Sequence, residues 1–289
     1  MTAPTTTDRG DHRQPEGYSS PLPNPRPHLG HALASEWTKL TSVRSTVWTL
    51  GSLVLLVVGI GGAVIIQTSA PDYVRMPFPA PALFGLLVGQ LPVMVLGVLT
   101  VTSEYGTGLI RTTFTAAPDR YRVLTAKYLV FGTTAFLAIA GSVSLVGLTA
   151  SMLRGGPGSG VHSGSEWASM LLGSFYVTLL GLLALSVGTL VRHSAGAIAV
   201  MLGIVTLPPV IGAVLSIWEA LAPIGRVLIE YNVPAALIEL FGLPTNGATD
   251  PSLGAGPPVP GSVSHMVVIL LVTGCTVAAS YAVVGRRDV

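Results

Sequence analysis

Six stretches, residues 47–66, 82–102, 128–151, 167–191, 195–217 and 264–284, each run for twenty residues or more without Asp, Glu, Lys or Arg. About twenty apolar residues in a helix cross the ~30 Å hydrocarbon core of a bilayer, so each stretch is long enough to span it. The first holds twelve Leu, Ile or Val side chains, worth roughly −4 to −7 kcal/mol of insertion free energy, whereas one central Arg would cost about +3 kcal/mol. Exclusion of charge is what permits insertion. Half of all residues are apolar, a tenth are charged and the mean hydropathy is +0.67, where soluble domains carry charge on about a quarter of theirs. The expected fold is an all-α polytopic membrane protein with six transmembrane helices, residues 47–288 forming the membrane domain.

The segments between the runs have characters of their own. Residues 1–27 are rich in Thr, Pro, Arg and Asp with hardly an apolar side chain, too little to offset the entropy of ordering, and read as a disordered tail. A cleaved signal would place its apolar core sooner than residue 47. Over 28–46, Leu29, Leu33, Trp37, Leu40 and Val43 recur at helical spacing with Glu36, Lys39 and Arg44 between them. That pattern predicts an amphipathic helix lying in the lipid interface and leading into the first span.

Residues 218–241 are apolar overall but carry Glu219, Arg226, Glu230 and Glu239. Three such charges at membrane depth would cost about 9 kcal/mol, so the stretch is not counted as a span. Leu221, Ile224 and Leu228 share a helical face, and Asn232-Val233-Pro234 interrupts the pattern. Two short helices resting on or dipping into the outer leaflet are expected, followed by a Gly/Pro-rich linker over 245–262.

Orientation follows from the basic residues. With the amino terminus inside, five Lys or Arg precede the first span, four lie in the 103–127 connector, and Arg192, Arg286 and Arg287 bring the inner side to twelve, against Arg75, Arg154 and Arg226 outside. The asymmetry predicts a multi-pass cell-membrane protein with both termini cytoplasmic and the 218–263 loop outside.

Several chemistries have no residues to carry them. The single cysteine, Cys275, excludes an intrachain disulfide and a Cys-based zinc cluster. A net charge of +2 without a Lys/Arg run argues against a nucleic-acid partner. No Gly-Lys dipeptide exists, so the chain has no phosphate-cradling loop of the G-x-x-x-x-G-K-[ST] kind. His265 near Ser264 would suit a Ser/His site, but no acid stands beside it in sequence. Within the spans, Gln90 and the pair Pro208-Pro209 could line a pathway, since an amide wants partners and prolines release backbone carbonyls; an interhelical bond and a packing kink are the plain alternatives. Gly85-x-x-x-Gly89 suggests close helix packing.

The 103–127 connector is the largest internal polar segment, with Arg111, Arg120, Arg122 and Lys127 against Glu104 and Asp119. Residues 107–117 read as a short helix lying between two spans. Two pieces of sequence, ASEWTKLTSVRSTVWTL and TSEYGTGLIRTTFTAAPDRYRVLTAKYLV, resemble the permease subunits of type-two ATP-binding-cassette exporters, particularly their actinobacterial branch. The family pattern E-[WF]-x-K-x-x-[ST]-x-R falls on Glu36, Trp37, Lys39 and Arg44. The pattern E-[YF]-x-x-G-[TL]-[IL]-R falls on Glu104, Tyr105, Gly108, Leu109, Ile110 and Arg111, and a basic stretch ending in Ala-Lys on Arg120, Ala126 and Lys127. These pieces cover about a sixth of the chain.

The resemblance implies a dimer of permeases, as two copies or with a paralogue, carrying separate cytoplasmic ATP-binding subunits that hold ATP and Mg. The connector would dock on each ATPase. Gly106 and Gly108 would permit a tight exit from the second span, Leu109, Ile110 and Phe114 would supply apolar contact, and Arg111 would pair with an acid on the partner or brace against Glu104. Cargo would be a hydrophobic or amphipathic compound. An intramembrane hydrolase or transferase, and a non-transporting anchor or immunity subunit of the same fold, are the competing expectations.

Overall fold

The structure is a computed structural model that describes residues 28–68, 77–109, 119–154, 164–243 and 260–286. The tail 1–27, most of the helix expected over 107–117 and most of the linker 245–262 lie outside the described residues.

Among the described residues the fold is all α-helix. A short α1 (Leu29–Ser42) leads into α2 (Arg44–Gln67), and four further long helices follow: α3 (Ala80–Thr107), α4 (Arg120–Arg154), α5 (Gly164–Val191) and α6 (Ser194–Leu215). Two short helices, α7 (Ala222–Glu230) and α8 (Val233–Leu240), precede the last long one, α9 (Pro260–Arg286). Six of these, all but α1, α7 and α8, are long and apolar enough to cross a membrane. Local chemistry sets several ends. Proline in the first turn of α3 and of α8 needs no intrahelical donor there, and the Asn232 side chain caps α8 by accepting from the Ala235 amide at 2.8 Å.

The core is built around α5, with 78 % of its most apolar window buried, and α3, with 61 %; α2, α6 and α9 are buried over only about a fifth and turn their apolar faces outward. Small residues bring the central pair together. A Cβ at Gly97 of α3 would collide with the Gly181 carbonyl of α5, and one at Gly188 would stand 2.9 Å from Val101. The Gly85-x-x-x-Gly89 pair does the same for α2 and α3: a Cβ at Gly85 would stand 2.6 Å from the Val57 carbonyl oxygen. Without a hydrophobic drive between lipid-solvated helices, such backbone approach is what dispersion needs.

Residues 218–241 form no spanning helix. Helix α7 folds back on α6 through Gly225 against Gly212, where a Cβ on either would meet the other's carbonyl oxygen within 2.7 Å. Leu221, Ile224 and Val227 stay exposed. Glu239, expected to remain solvated, is buried.

Candidate functional site: an ion cluster joining α1 to the connector

The connector is shorter than its charge pattern suggests. Helix α3 continues through Ser103, Glu104, Tyr105 and Gly106 to Thr107, and α4 begins at Arg120, so residues 108–119 alone join them. Gly108 makes the exit: it caps α3 with φ +74°, a left-handed conformation that glycine adopts without strain. Gly106 remains helical with open space around it, so only one of the two expected glycines makes the turn. Leu109 is exposed. Ile110, Arg111 and Phe114 lie outside the described residues.

The segment is held on both sides by a four-residue ion cluster, of which Glu36, Glu104 and Lys127 are buried and Lys39 is partly exposed. Glu36 of α1, Glu104 of α3 and Lys127 of α4 are 5 %, 6 % and 3 % exposed. Lys127 Nζ donates to Glu36 Oε2 at 2.7 Å, to Glu104 Oε1 at 2.9 Å and to the Thr100 carbonyl at 3.3 Å. Lys39 Nζ donates to Glu36 Oε1 at 2.7 Å and to Glu104 Oε1 at 3.0 Å. These are the only two lysines in the chain, and each bridges both carboxylates. Two positive and two negative charges cancel, which makes burial tolerable. At Lys39 burial works to lower the pKa, but the Glu36 and Glu104 carboxylates outweigh it and hold the ammonium above its ordinary value.

Tyr105 and Arg192 extend this network. Arg192, between α5 and α6, is the one described non-glycine residue with a positive φ, 58°, a backbone state that side chains resist. It sets the guanidinium over the Tyr105 ring, 5.1 Å from its centroid, a cation–π contact. On the other side, Asp119 opens α4: it accepts from the Arg122 amide at 3.1 Å and pairs with its guanidinium at 3.0 Å. Arg120 Nη1 donates to the Val284 carbonyl of α9 at 3.4 Å, and Tyr121 and Tyr128 stack on Tyr281 of α9. Both anchors of residues 108–119 are thereby tied to helices other than their own. Trp37 and Arg44 stay exposed on α1 and α2.

Most of these pairings have no signature in the sequence. Glu104, an expected brace for Arg111, accepts from two lysines through Oε1, and Lys127 and Arg192 do more than add positive charge. The candidate pathway residues sit in different surroundings. Gln90 is buried on α3, its Nε2 donating to the Leu87 carbonyl at 2.8 Å. Pro208 and Pro209 lie inside an uninterrupted α6, with Pro208 in a shallow apolar groove beside Leu207, Ile211 and Leu228.

The absence of an acid near His265 also needs correction. Glu239 of α8, distant in sequence, places Oε2 3.4 Å from His265 Nδ1, and Tyr231 stacks on the imidazole. Nε2, the nitrogen a nucleophile would need, is 2.9 Å from the Glu230 carbonyl oxygen. That arrangement fastens α7 and α8 to α9 rather than activating a hydroxyl.

No protein-family model matches the chain, and no curated protein sequence matches it, so a functional reading rests on its own residues.

Proposed function

We infer that the chain is the permease subunit of an ATP-binding-cassette exporter, moving a hydrophobic or amphipathic compound outward on ATP hydrolysed, with Mg, by a separate cytoplasmic subunit. The observation carrying this reading is the Glu36–Lys39–Glu104–Lys127 cluster. It joins the two sequence pieces that resemble the exporter family, and with the Arg192–Tyr105 and Arg120–Val284 contacts it fixes both ends of the 108–119 segment to the bundle. A soluble partner pushing on such a segment moves α1, α3 and α4 together instead of bending a loop. Nucleotide-driven closure of the ATPase then shifts the population of the helices toward an outward-open arrangement.

In this reading the cluster lies at the cytoplasmic side of the cell membrane, both termini share that side, and α7 and α8 lie outside. A second permease copy or a paralogue packs on α6, whose exposed Leu207 and Ile211 supply an apolar face. The reading is tested by purifying the chain with its co-eluting ATPase and titrating permease against a fixed amount of that ATPase in proteoliposomes. ATP turnover that rises with permease dose and saturates at a fixed ratio is expected; turnover indifferent to dose contradicts it.

A further inference from the structure

A cavity of about 210 Å³ lies between α2 and α3, at the end of the bundle that carries α1. The crossing of the two helices produces it. They touch at Gly85 and Gly89, and two to four turns further along α3 they have parted, so that Leu96, Leu99 and Ser103 line a gap together with Thr46 and Thr49. Its rim is exposed at Ser45, Ser103 and Leu109, while its deep end is formed by the buried Glu36, Glu104 and Lys127.

One atom there lacks a partner. Lys127 uses all three ammonium protons, and both oxygens of Glu36 accept. Glu104 Oε1 accepts from both lysines, yet Glu104 Oε2 is buried with no donor. The nearby hydroxyls do not supply one: those of Thr49, Thr100 and Ser103 each donate to a carbonyl one turn back. A buried carboxylate oxygen without a donor is costly, and native structures rarely keep one. That oxygen is enclosed in this conformation, so a donor in the gap reaches it only when the carboxylate turns about its soft terminal torsion.

Charge decides what kind of donor fits. The cluster is already balanced, so an ammonium would set a third cation beside two, and an anion would face Glu104. A neutral O–H or N–H adds no charge. The walls at Leu40, Leu96, Leu99 and Val130 are apolar. The volume exceeds the roughly 150 Å³ that admits benzene to an apolar cavity and falls short of the ~300 Å³ of the smallest drug-sized sites. We propose that this cavity binds the head and first carbons of a neutral amphiphile, an alkyl chain bearing a hydroxyl or amide, whose donor satisfies Glu104 Oε2. The site is independent of ATPase docking and would exist in a chain that bound no ATPase.

The test uses the full chain in phosphatidylcholine nanodiscs, whose headgroup has no donor, with a diazirine analogue of 1-octanol as the photolabel. Saturable adducts are expected within residues 45–49 and 96–103, with 1-octanol competing at a concentration at least tenfold lower than octyltrimethylammonium or octanoate. Because Glu104→Gln unbalances the cluster, the decisive variant is Thr46→Trp, which fills the gap and leaves all four charges; it should lose the adducts with its unfolding midpoint unchanged. Native mass spectrometry of both proteins distinguishes the source. A hydroxyl-bearing lipid retained only by the wild type identifies a resident lipid, whereas photolabelling without retained lipid identifies a free compound, and either supports the site. Unsaturable labelling, equal competition by the charged analogues, or unchanged labelling of Thr46→Trp overturns it.

Discussion

Lys127 shows how much a single side chain carries in this fold. It ties α1 and α3 to its own α4 while 3 % exposed, and its removal strands Glu104 and Glu36 with one ammonium between them. Breaking a buried ion pair from one side costs about 3–5 kcal/mol. Lys127→Met should therefore lower the thermal unfolding midpoint in detergent sharply. Adding Glu104→Gln, which leaves Glu36 and Lys39 as a neutral pair, should recover more than half of the loss; no recovery would show that the cluster does not act as a balanced unit. The pH behaviour has a definite sign at Lys39. Its pKa is raised in the folded protein above the ~10.4 of an unfolded lysine, so its stabilising contribution is complete below about pH 10.4 and fades only as pH rises through the higher folded value. Stability titrated between pH 6 and pH 9 should show no step that Lys39→Met abolishes.

At the scale of the helices, the glycines sort into two kinds. Gly97 lies against the Gly181 carbonyl, where backbone cannot give way, whereas a methyl added at Gly141 of α4 would have nothing within 4 Å. Gly97→Leu should separate α3 from α5 and abolish a monodisperse elution profile, while Gly141→Ala should be neutral or gain up to about 1 kcal/mol from helix propensity, read from the unfolding midpoint. The two close approaches are not equally legible in sequence. The Gly85 and Gly89 pair is a local spacing and can be recognised; Gly97 and Gly181 are far apart in the chain and no spacing links them. The six long helices are readable because every buried charge costs about 3 kcal/mol, which empties the spans of charge. The same rule misleads over Glu239. A lone carboxylate in an otherwise apolar short helix belongs in water by that rule, yet Glu239 is buried with Oε2 3.4 Å from Nδ1 of His265, across the following segment. Likewise the residues of the ion cluster stand out as motif pieces, but periodicity is local and cannot say that Glu36 meets Lys127, 91 residues away.

For the whole molecule, the asymmetry of Lys and Arg commits to one orientation in the membrane. In a Cys275→Ala background, Asp72→Cys, Ser159→Cys and Thr249→Cys should react with an impermeant thiol reagent on intact cells, and Thr113→Cys and His193→Cys should not; external labelling at Thr113→Cys would invert the orientation. The central proposal concerns the partner, that residues 104–122 transmit ATP hydrolysis to the bundle. The most direct measurement is ATP-driven export by proteoliposomes carrying the permease–ATPase complex with Arg111→Ala and Phe114→Ala together. Losing one of the twelve charges that the asymmetry assigns to the inner side should leave insertion intact. The account predicts a protein that inserts and elutes as the wild type does but loses its ATPase or hydrolyses ATP without export; export and ATPase binding at wild-type levels would contradict it.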